Sequence, residues 1–109
     1  MNVTDQLRAR LAQLSGVVEA TSRFGHENRV AWRAGTREIA HLHSMNVIDI
    51  RVPTVLQRRW RSDSRFTPRP RRSDWIEYRF RSRDDIELAA VLVELAAKSS
   101  SESIPRNRK

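Results

Sequence analysis

His41 and His43 stand two positions apart in Gly35-Thr36-Arg37-Glu38-Ile39-Ala40-His41-Leu42-His43, a run that reads as a β-strand. Side chains alternate along a strand, so both imidazoles are expected on one face, where they could hold a ligand or handle a proton. Asp49, on the following strand, places a carboxylate opposite His41. His41, His43 and Asp49 could offer three ligands to a divalent metal and leave a position open for water or substrate. Arg33 and Arg51 oppose that use of the face, because they repel a cation and attract an anion. With Arg29, Arg33 and Arg51 beside the histidines, a carboxylate or phosphate could be gripped by paired guanidinium donors, and Trp75 could add a flat apolar wall. The candidate ligand-binding set is therefore Arg33, His41, His43, Asp49, Arg51 and Trp75. The competing explanation is a solvated sheet face on which His41 and Asp49 are an ordinary cross-strand pair.

Other chemistries have weaker support. Ser44 adjoins His43, but adjacent strand residues point to opposite faces, and no Gly-x-Ser-x-Gly elbow occurs. Asp84 and Asp85 sit at a helix start, where negative charge complements the dipole. Gly16, Gly25 and Gly35 form no phosphate loop, and His26 falls in a turn. No cofactor is expected beyond the metal alternative, and catalytic residues are unknown.

The elements that must position these residues can be read from periodicity. Thr4 or Asp5 can cap a first helix carrying Leu7, Leu11 and Leu14 on one side, with Gly16 ending it. Val17 to Ser22 reads as a strand, followed by a turn-rich Phe24 to Asn28. Arg29 to Ala34, Glu38 to His43 and Val47 to Val52 alternate strictly and form a meander. Three-residue loops at 35–37 and 44–46 would put His41 opposite Asp49, His43 opposite Val47, Trp32 opposite Ala40 and Ala34 opposite Glu38. One face then carries Val30, Trp32, Ala40, Leu42, Ile48, Ile50 and Val52. The other carries Arg29, Arg33, Ile39, His41, His43, Asp49 and Arg51.

Pro53 suits the first turn of a short helix reaching Trp60. From Arg58 to Arg72 seven arginines and two prolines show little periodicity, as in a long basic loop. Trp75 to Phe80 is the last strand, with Ile76, Tyr78 and Phe80 facing the core. Ser82 with Asp85 resembles a capping box for a final helix ending near Lys98. Residues 1–98 thus read as one α+β domain, a single-layer antiparallel sheet with helices on one face, in the order α-β-β-β-β-α-β-α. Residues 99–109 read as a disordered polar tail.

Composition narrows the partners. The chain has 109 residues, no cysteine and a formal charge of +8. One modest core fits that length, whereas a multi-domain enzyme does not. Absence of cysteine removes disulfides and thiolate chemistry, and the chain reads as cytoplasmic, with no membrane partner. Arginines 58, 59, 61, 65, 69, 71 and 72 (Arg58, Arg59, Arg61, Arg65, Arg69, Arg71 and Arg72) could track nucleic acid, with Trp60 and Phe66 as stacking surfaces. Of 21 basic residues 19 are Arg, however, a skew that genomic base composition can produce without any such partner. Trp32, Trp60 and Trp75 are many for so small a core, and one left exposed could anchor a homodimer or another protein.

The His-x-His run, then Asp49-Ile50-Arg51-Val52, Ser73-Asp74-Trp75-Ile76 and an Asp-initiated alanine-rich helix together resemble the small bacterial luciferase-domain family, over roughly residues 15–98. That family's pattern is a Gly-Arg-Glu-Phe-Ala-His-x-His strand, an Asp-led apolar strand, and a His-Pro … Ser-Gly-Trp segment before a C-terminal helix. Here Thr67-Pro68 or Arg69-Pro70 replaces His-Pro, and Ser73-Asp74-Trp75 replaces Ser-Gly-Trp, so a three-histidine metal site would have lost a ligand. The resemblance implies no defined reaction. Light emission is not expected, because flavin-dependent bacterial luciferases resemble a (β/α)₈ barrel of about 250 residues. In element order alone the chain is also similar to MmcQ/YjbR-type domains with a CyaY-like fold, for which DNA binding has been proposed; fold alone does not carry function across. The leading expectation is a domain that binds a small anionic ligand on the polar sheet face, with nucleic-acid binding, metal-assisted catalysis and protein association as alternatives.

Overall fold

Strict apolar and polar alternation in three consecutive segments builds the middle of one sheet. The computed structural model describes residues 1–23, 29–71 and 73–103, with backbone only for 101–103. It contains strands β1 (Val18–Thr21), β2 (Val30–Ala34), β3 (Arg37–Ser44), β4 (Val47–Arg51), β5 (Phe66–Pro68) and β6 (Trp75–Arg79). Every neighbouring pair is antiparallel, in the order β1-β2-β3-β4-β6-β5. Helices α1 (Val3–Leu11), α2 (Thr54–Gln57) and α3 (Arg83–Ser103) complete the α+β arrangement, with a 3-10 turn at Arg58–Trp60. The expected turn at Phe24 to Asn28, including His26, lies outside the described residues, as do Arg72 and 104–109.

α3 lies across β2, β3 and β4, and α1 packs against α3. Their apolar stripes, Leu7 and Leu11 with Ile86, Ala89, Leu92 and Val93, meet Trp32, Ala40, Ile48, Ile50, Ile76 and Tyr78 in one buried cluster. Burial of these side chains drives the two-layer fold, each large one contributing about 1.5–3 kcal/mol. The opposite sheet face is left for polar residues. Among the described residues no helix is long and apolar enough to cross a membrane.

Several expected details are corrected. Asn2, not Thr4 or Asp5, caps α1: its side chain accepts from the Asp5 N–H at 2.8 Å, while Thr4 Oγ1 donates to the Met45 carbonyl at 2.6 Å. Both β-hairpin loops hold two residues rather than three, Gly35-Thr36 with Gly35 at φ +65°, and Met45-Asn46. β3 absorbs the difference in two bulges. Trp32 pairs with Ala40 but Arg33, not Ala34, with Glu38, and Leu42 pairs with Ile48 but Ser44, not His43, with Val47. The extra residues are therefore Ile39 and His43. Ile39, expected on the polar face, belongs to the apolar core. The stretch expected as an irregular basic loop contains the 3-10 turn and the edge strand β5, and α3 continues past Lys98 to Ser103.

The start of α3 is a reciprocal cap. Ser82 Oγ accepts from the Asp85 N–H at 3.3 Å, and Asp85 Oδ2 accepts from the N–H groups of Ser82 and Arg81 at 3.1 and 2.7 Å. Arg65 ties this cap to the approach to β5, bonding Asp85 Oδ1 at 2.8 Å and Asp63 Oδ2 at 2.6 Å. The Arg65 hydrogen bond draws the Asp63 carboxyl down to about 2. A carboxyl depressed in the folded state stabilises fully above its ordinary range and loses that contribution as pH falls through the folded value. Both side chains are part-exposed, so Asp63→Asn should cost about 1 kcal/mol at neutral pH. The gap from wild type should narrow between about pH 4 and pH 2 in urea unfolding; a gap constant with pH would contradict this pairing.

Candidate functional site

Cross-strand register lines up one row on the open face. His41 on β3 pairs with Asp49 on β4, Asp49 with Glu77 on β6, and Glu77 with Thr67 on β5. His41, 8% exposed, is held at both ring nitrogens: Nδ1 lies 2.9 Å from Glu38 Oε2 and Nε2 lies 3.0 Å from Asp49 Oδ2. A neutral imidazole has one N–H and can donate to one of these carboxylates, whereas an imidazolium donates to both. Glu38 is itself anchored, accepting from Ser22 Oγ at 2.8 Å and from the Arg23 N–H at 3.0 Å.

Glu38 reaches His41 because of the first bulge. In a regular strand residues three apart face opposite ways; the extra residue at Ile39 resets the parity and brings the Glu38 carboxylate to the imidazole. His43, two residues beyond His41, shares its face; the second bulge leaves it without a partner residue on β4, and its Nδ1 reaches Asp49 Oδ2 at 3.1 Å.

Asp49 is the hub. Its Oδ2 meets His41, His43 and, at 3.4 Å, Arg69 Nη2, which also lies 3.3 Å from Glu77 Oε2. Burial, the largest single influence, pushes this carboxyl up, but hydrogen bonds and charge from His41 and His43 together outweigh it and hold it below the ordinary carboxylate range. Asp49 is 2% exposed, and its Oδ1 has no hydrogen-bond partner among the described residues.

Beside the hub is a cleft of about 340 Å³ lined by His41, Asp49, Arg69, Ser73 and Trp75. The Trp75 ring lies 4.9 Å from the His41 ring, tilted by 41°, and is covered by the Arg51 guanidinium at 4.8 Å. Arg51 also bonds Asp74 at 3.2 Å. Ser73 accepts from the Trp75 N–H at 3.0 Å, fixing the chain as β6 begins. Arg69 Nε and Arg51 Nε are buried and have no acceptor among the described residues.

Of the six residues expected to bind a ligand, His41, Asp49 and Trp75 line this cleft. His43 attaches through Asp49, and Arg51 backs the indole. Arg33 lies outside: it is opposite Glu38 in register but makes no ion pair with it, and its buried Nε is without a partner among the described residues. Sequence reasoning missed Glu38, Glu77 and Ser73 as site residues, and gave Arg69 to the nucleic-acid set instead. Glu77 had a legible signal, its parity with Trp75 on the open face; Glu38 had none, because the bulge hides it.

The basic segment is partly committed internally. Arg65 serves Asp63 and Asp85, and Arg69 serves Asp49 and Glu77. Arg59 sits 6.0 Å from the Trp60 ring, which stacks on buried Phe66. Arg58, Arg59, Arg61 and Arg71 remain exposed. Trp32 is in the core and Trp60 and Trp75 are half-buried, so no described tryptophan is a fully exposed anchor.

The family model described as "Luciferase domain" matches residues 36–96. That span includes Glu38, His41, His43, Asp49, Arg69, Ser73, Trp75 and Glu77. No curated protein and no solved structure matches the chain. With the matched span covering more than half of the sequence and the expected α+β sheet in place, the chain belongs to the luciferase-domain family.

Proposed function

We propose that this domain binds a small, flat anionic ligand in the cleft between Trp75 and Arg69. The observation that carries the reading is the combination of an indole wall with two guanidinium groups, Arg69 lining the cleft and Arg51 covering the same ring, each with a buried Nε that has no acceptor among the described residues. A volume near 340 Å³ suits a metabolite-sized molecule and is too small for a polymer segment with several bases. The net charge of +8 assists approach of an anion. His41, clamped by Glu38 and Asp49, has neither nitrogen free, so it shapes and polarises the wall rather than acting as a nucleophile. Absence of cysteine is compatible with a cytoplasmic setting.

Phenyl phosphate and inorganic phosphate are the probes. Phenyl phosphate should raise the melting temperature of the native chain more than inorganic phosphate does, because only it can stack on Trp75. Trp75→Ala should weaken phenyl phosphate by about tenfold, the scale of one lost aromatic stack, while leaving inorganic phosphate nearly unchanged. Equal responses to both probes in wild type and variant would remove the assignment. Nucleic-acid binding through Arg58, Arg59, Arg61 and Arg71 would instead give a shift with short DNA or RNA that disappears as salt rises.

A further inference from the structure

Asp49 and Glu77 are directly opposite each other on β4 and β6, and like charges so placed repel. The chain answers with one cation, Arg69, whose Nη2 spans both carboxylates at 3.4 and 3.3 Å. Those separations are long for a charge-assisted hydrogen bond, which ordinarily closes to about 2.7–2.9 Å. His43 completes the group: one ligand atom each from His43, Asp49 and Glu77 lie within 4.8 Å of one another. Asp49, 2% exposed, also keeps its Oδ1 without a partner among the described residues.

From this we infer that His43, Asp49 and Glu77 form a divalent-cation site in competition with the Arg69 guanidinium. One imidazole and two carboxylates from three neighbouring strands, β3, β4 and β6, suit an ion that accepts both nitrogen and oxygen, such as Zn²⁺ or Mn²⁺. This trio differs from His41, His43 and Asp49, the set suggested by the sequence. His41 cannot serve, because both its nitrogens are engaged by Glu38 and Asp49. Arg69, 39% exposed, can swing toward solvent when the ion enters. Asp49 lines the Trp75 cleft, so the ion would stand at its wall. The inference does not depend on the cleft holding an anion.

Zn²⁺ titration of the full chain, followed by melting temperature and calorimetry, tests this. Wild type should bind one ion, Glu77→Gln should lose at least about tenfold in affinity, and Arg69→Gln should gain about tenfold, the scale on which a neighbouring positive charge disfavours a second cation. Both positions are half-exposed, so neither variant should unfold the chain. No binding by wild type or by Arg69→Gln, binding unaffected by Glu77→Gln, or weaker binding by Arg69→Gln would each overturn the site. Arg69→Gln should weaken phenyl phosphate while strengthening Zn²⁺, so the opposite signs keep a failure of this inference distinct from a failure of the anion reading.

Discussion

Asp49→Ala is expected to lower stability by about 3 kcal/mol or more, a fall in Tm of at least about 12 °C for a domain of this size. The substitution removes one carboxylate but strands several donors. His41 Nε2 loses the Asp49 carboxylate in a site 8% exposed, His43 loses its Asp49 contact, and Arg69 keeps Glu77 but not Asp49. Uncompensated buried polar groups, rather than the volume lost, dominate this cost. Asp49 also titrates below its ordinary range in the folded chain, so its contribution is present above that range and is lost as pH falls through the depressed value. Urea unfolding at neutral pH and at low pH would check both parts. A loss below about 1 kcal/mol, the scale of an exposed pair, would mean the hub is solvated rather than buried.

The triple variant Glu38→Leu/His41→Leu/Asp49→Leu is expected to be more stable than Asp49→Ala, falling within about 2 kcal/mol of wild type. Removing the three buried members together strands only donors that reach solvent, on His43, Arg69, Ser22 and the Arg23 N–H, and leucine restores apolar contact. Glu38, His41 and Asp49 would then be residues whose removal together costs little in stability but abolishes the phenyl phosphate response. A triple variant less stable than Asp49→Ala would show that the network is kept for folding. Comparing the two variants in the same urea titration separates a functional cluster from a structural one.

Most of the architecture was readable because burial and periodicity agree. Val47 to Val52 alternates cleanly, Ile48 and Ile50 are fully buried, and Asp49 falls on the open face with Arg51. The pairing of His41 with Asp49 and of Trp32 with Ala40 followed from that parity. The bulges were not readable. Inserting one residue in β3 changes no local propensity, yet it sends Ile39 into the core and turns Glu38 toward His41. β5 was also hidden, since Phe66-Thr67-Pro68 is too short for a period and its proline is tolerated only because the strand is at an edge. Arg69 followed the same pattern: in sequence it is one of seven arginines, and only the return of β5 beside β6 brings it to Asp49 and Glu77.

The most direct test of the cleft is a two-dimensional NMR titration of the isotope-labelled chain with phenyl phosphate. Binding at the proposed place should shift the Trp75 indole N–H, the His41 and Asp49 backbone signals and the Ser73 amide together, with one affinity. Signals confined to the exposed arginines Arg58, Arg59 and Arg61, with Trp75 and His41 unmoved, would contradict the account and place anion binding on the basic segment instead.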